Sequence, residues 1–301
     1  MTYPSSEADL SDDAGREVDT TGMIDRSRLA DDFAQLALDA AVAIMRVYTT
    51  RGCAFHLKAD QSPVSEADEQ AEVVILAGLK HCAPGIPVLA EEAAARGSKP
   101  ALDGQFILVD PVDGTKEFIG GSGEFTVNIA LIEAGRPVVG VVYAPVLKRL
   151  WSAAGGVATV CRVEPGQRLA DATERRSIHA RTAPSGAYVA LASRSHSDAP
   201  TEAFLANLPV RERREAGSSL KFCAIAEGDA DLYPRFGPTM EWDTAAGDAV
   251  LRAAGGVVLS LAGGPLLYGK TGEDYRNGGF VAWGDPIAGE REEQDRLADA
   301  P

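Results

Sequence analysis

One apolar run in this chain ends on acid. Phe106-Ile107-Leu108-Val109 passes directly into Asp110-Pro111-Val112-Asp113-Gly114-Thr115, so a strand apolar enough for burial on both faces carries two carboxylates just beyond its C-terminal end. Glu91-Glu92 stands shortly upstream, and Trp242-Asp243-Thr244-Ala245-Ala246-Gly247 lies far downstream. A fold that brings Glu91, Asp110, Asp113 and Asp243 together must return the second half of the chain to the end of that strand. Four carboxylates in one place repel strongly without cations. Their hard oxygens suit Mg²⁺, which bridges phosphate oxygens, lowers the pKa of a bound water and stabilises a leaving alkoxide.

The neighbours of these acids fit the same chemistry. Pro111 stiffens the turn expected after Val109, Val112 offers its carbonyl, and Gly114 permits close backbone approach. Thr115 opens a short turn whose N–H groups suit a phosphate. A D-x-x-D pair alone is more often a solvated turn, but the preceding strand and the two other acidic segments reverse that expectation. Asp68, near the start of a predicted helix, serves either as a first-turn carboxylate favoured by the helix dipole or as the group that orients Thr115. Glu92 is read as a support for Glu91. Asp243 is expected to open a helix as its N-cap, with Trp242 in the core. In Gly217-Ser218-Ser219-Leu220-Lys221, Lys221 lies one turn from Ser218 and is either a surface lysine or a contact for a second anionic group. Arg194, His196 and Arg235 stand where strands meet loops, and are either surface residues or ligand contacts.

A formal charge of -15 over 301 residues argues against nucleic-acid or anionic-membrane binding, which clustered Lys and Arg drive. Four cysteines without a CxxC pair read as reduced thiols of a cytoplasmic protein. No apolar run is long enough for a transmembrane segment. Peripheral membrane attachment, and the choice between monomer and homodimer, stay open. Residues 1–25 read as a disordered acidic tail and 287–301 as a polar tail with a frayed helix. Helical periodicity appears between Asp25 and Thr49 and from about Ser65, and further helices are expected over 218–227 and 242–254. Strands are expected at 106–109, 125–132, 138–143, 149–153, 188–192, 230–233 and 257–259. The alternation implies a layered α/β protein with a mixed sheet. A composition change near residue 160 separates a metal-binding subdomain, 26–160, from a substrate-recognition subdomain, 161–286.

Several segments together resemble the inositol monophosphatase superfamily of lithium-sensitive, magnesium-dependent phosphomonoesterases, and within it the enzymes that cleave 3'(2'),5'-bisphosphate nucleotides. They are S-P-V-S-E-A-D at 62–68, V-D-P-V-D-G-T-K-E-F-I at 109–119, G-E-F-T-V-N-I-A-L-I at 123–132 and G-V-V-Y-A-P-V at 140–146. S-R-S-H at 193–196, G-S-S-L-K-F-C at 217–223 and L-Y-P-R-F-G-P-T-M-E-W-D-T-A-A-G at 232–247 complete the set. The resemblance covers roughly residues 28–285 and implies a sugar-phosphatase fold, an α-β-α-β-α sandwich. It implies that Glu91, Asp110, Val112 (through its carbonyl), Asp113 and Asp243 hold two or three Mg²⁺ ions. Thr115 with Asp68 would activate the water, and the amides of Gly114 and Thr115 would hold the scissile phosphate. His196, Ser218, Lys221 and Arg235 would contact the nucleotide and the phosphate that is kept. Asp248 adds a negative charge that would tune the site. The activity implied is removal of the 3'-phosphate of adenosine 3',5'-bisphosphate to give AMP, with its 3'-phosphorylated adenylyl sulfate as a further substrate, in sulfur assimilation. Rival expectations are an inositol or sugar monophosphatase with the same metal mechanism, and a regulatory protein acting through a partner on the same fold.

Overall fold

The apolar residues Leu29, Phe33, Ala40, Ile44 and Val47 form one buried stripe on helix Arg26–Thr49, with Leu36 half-buried beside them, as their spacing predicts. Asp25 caps it, its Oδ1 accepting from the N–H groups of Ser27 (3.0 Å) and Arg28 (3.1 Å). The computed structural model describes residues 25–49, 55–57, 63–184, 186–193 and 198–298. The long helix and its neighbour, Glu66–Cys82, cover one face of a seven-stranded sheet. That sheet runs in the order Val88–Ala90, Gln105–Asp113, Thr126–Glu133, Arg136–Ala144, Arg149–Ala154, Val157–Arg162 and Thr173–Ser177. Only its first pair is parallel.

The strand Gln105–Asp113 explains why its sequence is apolar without alternation. Ile107 and Val109 join the core under the two helices, whereas Phe106 and Leu108 join a second core on the opposite face. That second core holds helices Leu220–Ala226 and Glu241–Ala253, which lie between the large sheet and a five-stranded one. The smaller sheet has the order Val210–Ala216, Tyr188–Ser193, Leu232–Arg235, Phe280–Trp283 and Val257–Ser260. Its outer face packs Tyr188, Ala190, Leu232 and Trp283 beneath helices Ala199–Ala206 and Pro286–Ala298. The layers are therefore α-β-α-β-α, as expected.

Two glycines answer to particular constraints. Helix Glu241–Ala253 crosses the strand Arg136–Ala144 so closely that a Cβ on Gly140 would fall 2.5 Å from the Ala249 Cβ and 2.7 Å from the Ala246 carbonyl oxygen. The hairpin between Thr126–Glu133 and Arg136–Ala144 turns on Ala134 and Gly135 alone, both with positive φ (47° and 74°), the geometry of a type I′ loop. In the second half, Arg181 clamps the fully buried Asp231 with two hydrogen bonds of 2.8 Å.

Several elements lie beyond the sequence reading. The strands Val157–Arg162 and Thr173–Ser177 extend the first sheet past the composition change near residue 160. Thr173–Ser177 and most of Val210–Ala216 are exposed edge strands rich in charge, so they carry no apolar alternation. Helix Ala199–Ala206 starts at Asp198, whose carboxylate accepts from the Thr201 N–H at 2.7 Å. Cys82, Cys161 and Cys223 are free thiols. Among the described residues no helix is long and apolar enough to cross a membrane.

Candidate active site

The register of the large sheet sets the first two acids side by side. Ala90 pairs in parallel with Val109, so Glu91 and Asp110 follow at adjacent strand ends. Asp110 still pairs with Asn128 and Asp113 with Thr126, with a bulge between them. The segment expected to be a turn after Val109 is therefore the bulged end of the strand itself. Three steps on one side oppose two on the other, which bends the strand and re-aims its side chains. The Asp110 carboxylate accepts from the Val112 N–H at 3.0 Å. Gly114 then takes φ 95° and leads into the short helix Thr115–Gly120. A Cβ there would meet the Ser218 Cβ at 3.2 Å and the Glu124 carbonyl oxygen at 3.3 Å, so the space is tight and the positive φ disfavours any other residue.

Asp243 arrives from the other half of the chain. It is the third residue of helix Glu241–Ala253 and not its N-cap, because its Oδ2 reaches back to accept from the Met240 N–H (3.0 Å) and from the Thr239 hydroxyl. A line of buried and half-buried hydrogen bonds fastens the halves together. Asn128 Nδ2 donates to Ser219 Oγ (3.1 Å), and Ser219 Oγ donates to the Asp243 carbonyl (3.0 Å). Thr126 Oγ1 meets Ser218 Oγ at 3.1 Å, and Glu124 accepts from the Gly217 N–H at 2.8 Å. Ser218 takes φ 44°, a strained value for a serine that this double anchorage holds.

These elements enclose a cleft of about 270 Å³. Glu91, Asp110, Val112, Asp113, Gly114, Thr115, Ser218, Lys221, Arg235 and Asp243 all line it. Asp68 does not line it; it is buried in the first turn of helix Glu66–Cys82, and its charge acts on Asp110. His196 and Arg194 lie outside the described residues. Asp248 turns away from the cleft. It pairs with Arg252 Nε at 2.6 Å and accepts from the Tyr268 hydroxyl at 3.0 Å, so its charge is balanced within its own helix and does not tune the site as expected. Glu92 is buried behind Glu91, where its N–H donates to Glu72 at 2.7 Å and Arg96 stands 3.9 Å from its carboxylate.

Lys221 is not a surface lysine. It is buried, its ammonium donates to the carbonyls of Ser218 (2.7 Å) and Ala216 (3.2 Å), and it lies 5.0 Å from the Tyr233 ring centre. Arg235 donates to the Pro238 carbonyl at 3.2 Å. Charge in the cleft is thus divided between four carboxylates and this cationic wall. Burial, followed by Glu91, Asp113, Asp243 and Asp68, pushes Asp110 well above the usual carboxylate range. Burial and Asp243 raise Asp113 to about 7, against the pull of Lys221 and Arg235. Such crowding of acids is costly in a bare protein and suits a hard cation. Among the described residues no three acidic, cysteine or histidine groups close on a single point. An open arrangement fits Mg²⁺, which takes one or two carboxylates and completes its shell with substrate phosphate and water.

The sequence reading passed over Thr126, Asn128, Ser219 and Tyr233. Polar residues inside the otherwise apolar F-T-V-N-I-A-L-I run were the available signal, since a buried Asn or Thr needs a partner.

Comparison with known proteins agrees with this architecture. A model of the Inositol monophosphatase family matches residues 25–299. The chain is 48% identical over 253 residues to the 3'(2'),5'-bisphosphate nucleotidase CysQ of Shigella flexneri, covering 84% of this chain and 98% of that one. It is 47% identical, with the same coverage, to CysQ of Escherichia coli strain K12. The crystal structure of CysQ from Bacteroides thetaiotaomicron superposes with a TM-score of 0.72 at 40% identity, covering 86% of this chain and 97% of that one. With the matched length, the layered fold and the carboxylate cleft in agreement, the chain belongs to the inositol monophosphatase family.

Proposed function

We propose that this chain is a cytoplasmic, Mg²⁺-dependent 3'(2'),5'-bisphosphate nucleotidase that hydrolyses the 3'-phosphate of adenosine 3',5'-bisphosphate to give AMP and phosphate. One observation carries this reading. The cleft that gathers Glu91, Asp110, Asp113 and Asp243 is also lined by two cations, Lys221 and Arg235, which suits a substrate with a second phosphate. The extent of identity to relatives named for this activity supports the same reading. Sulfur assimilation is the expected context.

The four carboxylates and the Val112 carbonyl would hold the divalent cations, which would supply charge to the phosphoryl oxygens and lower the pKa of water. The amides at Gly114 and Thr115 receive the scissile phosphate where the left-handed glycine brings the backbone close. The Thr115 hydroxyl, activated by Asp68 in this reading, orients the water for in-line attack. A P–O bond forms to that water as the bond to the 3'-oxygen breaks, and the leaving oxygen takes up a proton. Lys221, Arg235 and Ser218 retain the 5'-phosphate, and the Tyr233 ring lines the nucleotide side of the cleft.

Phosphate release from adenosine 3',5'-bisphosphate and inositol 1-phosphate, each with Mg²⁺ and with or without Li⁺, tests the assignment. Strong preference for the nucleotide with loss on adding Li⁺ is expected. Preference for the inositol ester would overturn the second-phosphate site, and silence on both would overturn the enzyme.

A further inference from the structure

Arginines gather at the far edge of the large sheet, in a chain that is otherwise strongly acidic. A groove of about 430 Å³ is lined by Arg149, Arg162, Glu174, Arg175 and Arg176. It shares no residue with the catalytic cleft. The register Asp110, Asn128, Val142, Trp151, Val160, Arg176 runs straight across the sheet. Five strand spacings of about 4.8 Å put the groove roughly 24 Å from the carboxylates.

The arrangement is costly as it stands. Arg149 and Arg162 are direct cross-strand partners, and like charges so placed destabilise a sheet. Arg176 lies beside them, opposite Val160. A single carboxylate serves two of these groups: Glu227, almost wholly buried, accepts from Arg149 at 2.6 Å and from Arg176. Its other oxygen accepts from the Trp151 indole N–H at 2.9 Å. Among the described residues neither Arg162 nor Arg175 has an ion-pair partner. Counting Glu174 and Glu227, the four guanidinium groups retain an excess of two positive charges.

We infer that this groove is a second anion-binding site, which takes a small oxyanion carrying two or more negative charges in phosphate or sulfate groups. Planar guanidinium forks suit such oxygens in paired hydrogen bonds. The anion relieves the Arg149–Arg162 repulsion and competes with Glu227 for its two arginines. Trp151 reports the event, because Glu227 holds its N–H and the Arg149 guanidinium lies 4.9 Å from its ring centre.

The test is a titration of the whole protein with inorganic pyrophosphate in EDTA, at constant ionic strength, by tryptophan fluorescence and calorimetry. Without divalent cations the catalytic carboxylates disfavour this probe in the cleft, and weakening of binding in the groove variants assigns it to the groove. One saturating equivalent with a fluorescence change is expected. R162A, and more strongly R162A/R176A, should weaken it, the double variant at least tenfold, with phosphate release in Mg²⁺ retained. Binding that never saturates, that chloride reproduces at equal ionic strength, or that R162A and the double variant leave unchanged, overturns the site.

Discussion

Replacing Asp113 with asparagine should stabilise the metal-free protein while removing its activity. Burial and the Asp243 carboxylate raise Asp113 from 3.8 to about 7. At about 1.4 kcal/mol for each tenfold change in proton affinity, the ionised form carries a penalty of ~4 kcal/mol once the pH exceeds 7. Asp113 keeps part of its surface in the cleft, and screening there reduces the recoverable share to about 2 kcal/mol. Because the folded state binds this proton more tightly than the unfolded chain does, stability is complete below about pH 4 and is lost as the pH rises through about 7. Asparagine has the shape of the neutral acid and carries no charge. Urea unfolding in EDTA should therefore show the variant more stable than the parent at pH 8, by about 2 kcal/mol or ~5 °C in Tm, and nearly equal to it at pH 4. Saturating Mg²⁺ should close or invert the gap at pH 8, since ligand binding to the folded parent stabilises it. An equal gain at both pH values, or no gain in EDTA, would refute the electrostatic reasoning. Undiminished phosphate release by the variant would refute the role of Asp113.

Other perturbations test separate parts of the structure. Arg235→Ala removes a charged hydrogen-bonding group worth about 1.5–3 kcal/mol, so KM for adenosine 3',5'-bisphosphate should rise ~10- to 100-fold while a monophosphate changes less than about threefold. Gly140→Ala forces a methyl group against Ala249 and the Ala246 carbonyl; overpacking should cost about 1–3 kcal/mol in urea, and a neutral result would mean that the helix can move off the sheet freely. Asp231→Ala leaves Arg181 without its bidentate partner and the Val189 N–H without its acceptor, which should cost about 3–5 kcal/mol of stability.

Much of the fold was legible because burial leaves a periodic mark. The stripe Leu29, Phe33, Leu36, Ala40, Ile44, Val47 announced a helix lying on a sheet, and the unbroken run from Phe106 announced a strand with helices on both faces. Elements that bury little left no such mark. Val210–Ala216, sequence V-R-E-R-R-E-A, pairs through its backbone with Tyr188–Ser193 while its side chains meet solvent. Asp243 shows a similar limit. Its place near a helix start was evident, but whether it caps from the N-cap or from the third residue depended on the reach of its carboxylate to Met240 and Thr239.

By itself, the sequence determined which groups are available for the proposed chemistry, because carboxylates, a glycine free to adopt positive φ and a threonine beside it are local facts of covalent structure. Their charge state and partners were decided only by tertiary structure. Lys221 and Asp248 read alike as charged residues near a site, yet one lines the cleft on carbonyl supports and the other is neutralised by Arg252 behind it. Pairing of this kind depends on distances between elements far apart in the chain, and those distances exist only once the two sheets close on the helices between them.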